Sequence, residues 1–299
     1  MAISIPVAYI ETFESNVRHL AQQGDTRLRP YVTEVFNQSK SHKWDRLAES
    51  TIRTRTTNRQ VSPAGGAGSG AIDTTDGLDW SRRNTLIATY DWGEIVAPAE
   101  AAQMLIDPNS AVAHNGAMAM RRGVDDVIIS NALADALTDG GADASFPAGQ
   151  VIGDGTAELS TDIILQVDEL FLANDVDQDE RKCFVIGPTQ KRAMLSSMQV
   201  TSADYAAGQA LMSGYLPNWM GFDWIVSNRL ETGVGTISCL AFTKKALGLH
   251  VATDITAKVG ERTDMSFAIQ FFLEMSMDCV RVEDEHIVHI NLLDSYTPA

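Results

Sequence analysis

The sequence predicts an α+β protein with a long projecting β-hairpin and one spine helix. Three observations lead there. Residues 107–141 carry a helical pattern that opens on Asp107-Pro108, an N-cap with proline at the first helical position, and stops at Gly140-Gly141. From Lys40 to Tyr90, two extended segments flank a Gly/Ser/Pro stretch at 63–70. Beyond Thr156 short helices and strands alternate, with no repeat of fixed period.

Each element has its own signal. Residues 9–36 alternate apolar groups (Tyr9, Ile10, Phe13, Val17, Leu20) with polar ones, and Leu28-Arg29-Pro30-Tyr31 interrupts any continuous helix, which predicts an arm with a short helix. In the first extended segment Arg46, Arg53, Arg55 and Arg59 interleave with Thr51, Thr54, Thr56 and Thr57. The second runs from Trp80 to Trp92 with Arg82, Leu86, Ala88 and Tyr90 in alternation. Together they predict a hairpin longer than the loops of compact domains, and a projection of that size must bind something. The spine helix places Met120, Val124, Val127 and Ile128 at helical spacing, continued by Ile129, Leu133 and Leu137, with Gly116 and Gly123 weakening its middle. About 30 residues at about 1.5 Å each make a rod of about 45 Å.

In the body, Ser160 caps a helix with Ile163, Ile164, Val167, Leu170 and Phe171 on one face, ending near Asn174. Cys183 to Ile186 is a buried strand, Pro188 starts a helix through Met194, and strands are expected at 222–226, 236–242, 255–259, 277–282 and 286–292.

Composition excludes several classes. The chain has 299 residues, 44% hydrophobic and 21% charged, enough for real cores and incompatible with disorder throughout. No apolar run approaches the roughly 18 residues of a membrane span, and residues 1–6 lack the basic residues that open a secretory signal, so the protein is expected to stay where it is made. The formal charge of -16 is uneven: residues 1–60 net +3 and the rest nets -19. That pattern reads either as a basic arm that meets an acidic surface or as a fluctuation in a solvated face. An acidic body argues against tight nonspecific nucleic-acid binding. Cys183, Cys239 and Cys279 are widely spaced and read as buried thiols.

No constellation for catalysis emerges. The 65–70 glycines follow Ser62-Pro63 rather than a strand and carry no Lys-Ser/Thr. Asp175, Asp177 and Asp179 begin like a calcium loop, but Glu180 stands where glycine is needed and Ile186 where a bidentate Glu belongs. His286 and His289 fall on opposite faces of a strand, and His114 and His250 lie in unrelated contexts.

The arm at 11–30, His42-Lys43-Trp44-Asp45-Arg46-Leu47, Phe184-Val185-Ile186-Gly187-Pro188-Thr189-Gln190, Ser202-Ala203-Asp204-Tyr205, Gly214-Tyr215-Leu216 with 221–230, Asp278-Cys279-Val280-Arg281-Val282 and Val288-His289-Ile290-Asn291 together resemble the major capsid protein of tailed bacteriophages, of the Hong Kong 97-type fold. The resemblance spans nearly the whole chain through loose patterns of packing residues. It implies an N-terminal arm (1–38), an extended loop (39–106), a spine helix and peripheral domain (107–150, completed by 271–299) and an axial domain (151–270). It further implies a non-enzymatic virion subunit without cofactor, catalytic or metal residues, self-assembling in the host cytoplasm into hexamers and pentamers of an icosahedral shell around double-stranded DNA. Partners implied are other copies of the chain, a separate scaffolding protein, a portal, and weak nonspecific contact with DNA, with no membrane. The extended loop would lie across a neighbour, its Arg46, Arg53, Arg55, Arg59, Arg82 and Arg83 facing an acidic body and Trp44, Trp80 and Trp92 anchoring by burial. The alternative for these residues is surface arginine and intramolecular core tryptophan. Rival functions are an encapsulin-like compartment subunit and a hydrolase with a long lid loop.

Overall fold

The structure, a computed structural model, describes residues 22–47, 80–96, 108–139, 143–196 and 218–295. The arm before Gln22, the hairpin tip with Arg53, Arg55 and Arg59, the Asp107 and Gly140-Gly141 helix boundaries, and segments 202–205 and 214–216 lie outside the described residues.

Leu28 and Val32 anchor the arm in the core around a 3-10 turn at Arg29–Tyr31 that uses Pro30 in its first turn. The main elements follow as β1 (Thr33–Phe36), β2 (Ser41–Leu47), β3 (Trp80–Leu86), β4 (Ala88–Val96), α1 (Pro108–Leu133), β5 (Val151–Ile152), α2 (Thr161–Ala173), β6 (Lys182–Ile186), α3 (Pro188–Ser196), β7 (Phe222–Val226), β8 (Thr236–Thr243), β9 (Leu247–Arg262), β10 (Ala268–Arg281) and β11 (Ile287–Leu293). Three sheets result. One has the order β1-β9-β10-β4, a second β5-β11-β8-β6-β7, and β2 with β3 makes a separate two-stranded ribbon. One contiguous core joins both larger sheets to α1 and α2.

The five-stranded sheet is the body expected from the alternating helices and strands. Ser160 caps α2, its Oγ accepting from the Ile163 amide at 3.4 Å, and Ile163, Ile164, Val167 and Phe171 are buried. Every residue of β6 is buried, as suits a strand covered on both faces. Its Lys182 is tolerated because Nζ reaches Asp168 at 2.8 Å and lies over the rings of Phe171 and Phe222. Phe184 stacks on Trp224 at 4.6 Å. Cys183, Cys239 and Cys279 are free and buried, and burial pushes the Cys239 thiol up to about 12, so these are packing residues with no thiolate character.

Four expectations need correction. The 80–92 segment divides at Ile87: β3 stays in the ribbon, while β4 leaves it to pair antiparallel with β10. The spine helix stops at Leu133, short of Leu137, because the next residues are engaged by tertiary partners: Ala136 bridges to Ala144, and Arg281 Nη1 bonds the Ala134 carbonyl at 2.8 Å. The strands expected at 255–259 and 277–282 are parts of much longer strands, β9 and β10, which form one long hairpin with bulges near Ser276.

Gly116 and Gly123, within α1, let the sheet approach closely. A Cβ at Gly116 would stand 2.5 Å from the Trp92 ring and 3.0 Å from Leu273, and one at Gly123 would stand 3.2 Å from Met275. The helix therefore seats directly on β4 and β10, and this contact buries half of Trp92. Gly116→Val is expected to destabilise the chain by about 1–3 kcal/mol through overpacking, read as a lower midpoint in urea, whereas a rise in midpoint would refute the close seating.

Candidate functional site

The ribbon β2–β3 is a two-stranded sheet separate from the two larger ones. Its register runs from Ser41 opposite Leu86 to Leu47 opposite Trp80, and directly opposed residues share a face. Ser41, Lys43, Asp45 and Leu47 on β2, with Leu86, Asn84, Arg82 and Trp80 on β3, form the outer face. His42, Trp44 and Arg46, with Thr85, Arg83 and Ser81, form the inner one. The alternating exposure along β2 follows this division.

The inner face is clamped to the body of its own chain. Trp44 lies on Gly248 of β9, where a Cβ would stand 2.6 Å from its ring, and stacks edge-on with His42 at 4.8 Å. Arg83, 5% exposed, donates Nη2 to Asp284 at 2.7 Å, and Arg46 reaches Glu283 at 3.2 Å, Glu285 at 3.7 Å and Asp284 at 3.8 Å. Burial first, then the nearby cations Arg46 and Arg281, hold the Arg83 guanidinium below its ordinary value, against the pull of Asp284. A second tie runs to the segment after α1: the Asn84 amide bonds the Leu137 carbonyl at 2.8 Å, Arg83 bridges to Thr138, and Lys43 pairs with Asp139 at 2.8 Å.

The outer face keeps its apolar groups in water. Trp80 is 68% exposed, Leu47 51% and Leu86 53%, with the Asp45–Arg82 pair between the two ends. Of the predicted contact residues, Trp44, Arg46 and Arg83 find their partners within the chain and Trp92 packs under α1. Trp80 is presented outward, and Arg82, also on the outer face, pairs with Asp45 of the ribbon and lies 3.7 Å from Asp139. Arg53, Arg55 and Arg59 lie outside the described residues.

Beneath the ribbon, two imidazoles meet. The His42 and His250 ring centroids are 5.4 Å apart. His250 is fully buried; its Nε2–H donates to the Asn37 carbonyl at 2.9 Å, which leaves Nδ1 toward Thr85 Oγ1 at 3.3 Å. Burial, and then the neighbouring His250, hold His42 below the ordinary imidazole value against the pull of Asp45. A histidine held low stays neutral in the fold while the unfolded chain takes up protons at higher pH. Stability from this joint is therefore present above the ordinary imidazole value and is lost as pH falls through it. Hydrogen exchange of the β2–β3 amides, corrected for intrinsic rates, is expected to be faster at about pH 5.5 than at about pH 7.5, and His42→Gln should flatten the difference. A wild-type profile without pH dependence would contradict this.

No group of three His, Cys, Asp or Glu able to hold a metal exists among the described residues, and no described helix is long and apolar enough to cross a membrane. A family model described as phage capsid protein matches residues 5–294. The chain belongs to the phage capsid protein family. Its role is structural, in the virion capsid, and it is not an enzyme.

No curated protein matches the sequence of this capsid subunit at a significant level, but solved structures do. A capsid chain of cyanophage P-SCSP1u aligns with TM-score 0.73 at 14% identity, covering 96% of this chain and 94% of its own. A chain from a structure of Mycobacterium phage Che8 gives 0.73 at 14%, covering 96% and 98%, and one from the capsid of cyanophage Pam1 gives 0.72 at 11%, covering 99% and 100%. At these identities the likeness speaks for the fold, and it bears out the Hong Kong 97-type architecture expected from the sequence.

The sequence reading missed the residues that hold the capsid subunit's ribbon: Arg281, Glu283, Asp284, Glu285 and Asp139. An acidic triplet between two apolar strands was visible, yet nothing local links it to arginines some two hundred positions earlier.

Proposed function

We propose that this chain is a major capsid protein whose copies close into hexamers and pentamers of an icosahedral shell around double-stranded DNA, assembled in the host cytoplasm. The observation that carries the reading is the two-faced ribbon. Its inner face packs on its own body, while its outer face leaves Leu86 near the root and Leu47 and Trp80 at the far end in water. Exposed apolar groups grouped on a projecting element mark a contact surface. A neighbour's body covers them, and head-to-tail contacts of this kind close into rings when the rotation between copies is right.

The net charge of -16 lets packaged DNA lie against the lumen with weak, nonspecific contact. A separate scaffolding protein and a portal complete the proposed assembly. Arg53, Arg55 and Arg59 supply charge at the tip, where complementary charge sets register and encounter rate more than affinity.

Electron microscopy of the purified protein tests the reading. Closed shells of uniform size are expected, with DNA rather than enzyme cargo in particles recovered from infected cells. A monodisperse monomer would overturn the capsid reading, and enzyme-filled shells would favour the compartment alternative. Combined Arg53→Ala, Arg55→Ala and Arg59→Ala replacements are expected to reduce shell yield and the dependence of assembly on salt. Unchanged yield and salt response would remove the tip arginines from the contact.

A further inference from the structure

The charges at the ribbon's inner face converge on one carboxylate. Asp284, in the turn between β10 and β11, receives Arg83 Nη2 at 2.7 Å and Arg281 Nε at 2.6 Å, with Arg46 Nη1 at 3.8 Å. These arginines come from β3, β10 and β2. Arg281 is fully buried; its remaining nitrogens donate to the carbonyls of Ala132, Ala134, Ala144 and Ser145, and its guanidinium lies over Phe146 at 4.9 Å. Asp284 thus ties the ribbon to the segment that leaves α1.

The cluster is balanced in charge but not in hydrogen bonds. Arg46, Arg83 and Arg281 face Glu283, Asp284 and Glu285. Even so, Arg46 Nε and Arg83 Nη1 are buried without a partner. Asp284 hydrogen-bonds Arg83 and Arg281 and lies within ion-pair range of Arg46, so it couples all three arginines.

Position along the ribbon gives the cluster its leverage. The root is held at Ile87, whose amide bonds the Lys40 carbonyl at 3.1 Å, and at Leu86, whose amide bonds Asp278 at 2.9 Å. Arg83 lies four residues nearer the tip, about 13 Å along a strand rising about 3.3 Å per residue, and Arg46, opposite Ser81, lies farther still. Two holds at that separation fix a direction. Without Asp284 the root, the Trp44 contact, the Arg46 pairs with Glu283 and Glu285 and the tie to Leu137–Asp139 remain, but the ribbon loses its link to Arg281.

We propose that Asp284 is the positioning residue of the hairpin: its carboxylate sets the angle at which β2–β3 leaves the body. The consequence for presenting Trp80 to a neighbour rests on the assembly reading above, whereas the angle itself does not.

Spin labels test this in the full chain. Leu47→Cys, on the ribbon, and Val234→Cys, fully exposed on the loop before β8, provide the labelling sites, and the three native thiols are buried and do not compete. Labelled subunits are diluted into unlabelled ones so that only distances within a chain are read. The parent should give one narrow distance distribution, and Asp284→Asn should shift it or broaden it at least about twofold. Arg46→Met, which keeps the stem but not the charge, should do the same, while Arg46→Lys should stay close to the parent. Distributions unchanged in both Asp284→Asn and Arg46→Met overturn the proposal, and should Asp284→Asn fail to fold, Arg46→Met alone decides. Particle counts on the unlabelled Asp284→Asn and Arg46→Met proteins, which keep Leu47, separate the two readings: a broadened distribution with normal shells leaves the positioning role standing and removes the ribbon from the subunit contact.

Discussion

Replacing Arg281 with methionine is expected to lower the unfolding free energy by about 3–5 kcal/mol, the range for removing one partner of a buried ion pair. Methionine fills much of the volume but donates nothing. Asp284 loses the Nε bond at 2.6 Å, and the carbonyls of Ala132, Ala134, Ala144 and Ser145 lose their shared donor inside the protein. Arg281→Lys should recover little, since a single ammonium cannot reproduce a planar fork that serves five acceptors. Urea unfolding of parent and variants measures the loss, and hydrogen exchange locates it at the ribbon and at the end of α1. A loss under about 1 kcal/mol would mean that the network contributes no more than a surface pair.

Phe184→Ala is expected to cost a similar amount, about 3–5 kcal/mol, by a different route. Phe184 is fully buried in β6, stacked on Trp224 at 4.6 Å and edge-on to Phe222 at 5.5 Å. Truncation leaves a cavity that neighbours locked in two parallel strands cannot collapse to fill. The increased hydrogen exchange should appear in β6, β7 and β8 and leave the ribbon near parent values. Uniform loss of protection across both sheets would show instead that the body and the ribbon unfold as one unit.

These two sites mark the limits of what the sequence discloses. Around Phe184 the signals are local: Ser160 and Asn174 bracket α2, and the apolar run from Cys183 ends at Gly187-Pro188, so period and caps suffice to place the elements. The strand expected at 222–226 is β7 as observed. At Arg281 the determining contacts are distant. The apolar spacing of α1 continues to Leu137, but the helix ends at Leu133, where a guanidinium from β10 and a bridge to Ala144 claim the backbone. Alternation through Trp80–Trp92 is only rough, and the Leu86-Ile87-Ala88 run that interrupts it does not by itself announce the change of partner at Ile87. For β9 and β10 the sequence marks only 255–259 and 277–282 as strand; the rest of each, buried at Leu247–Val251 and buried or half-buried along Ala268–Met275, is joined to them by the pairing between the two strands. The candidate contact residues were legible as a basic, tryptophan-bearing hairpin. That Arg46 and Arg83 face their own chain follows from the triplet Glu283, Asp284 and Glu285, which no spacing rule connects to them.

A cryo-EM reconstruction of the assembled particle tests the central claim most directly, because it reads both faces of the ribbon at once. The result expected is Arg46 and Arg83 on Asp284 of their own subunit, with Trp80 covered by the body of the next. Closed particles in which Trp80 remains in solvent, or in which the Asp284 cluster is formed between two different subunits, would contradict the account.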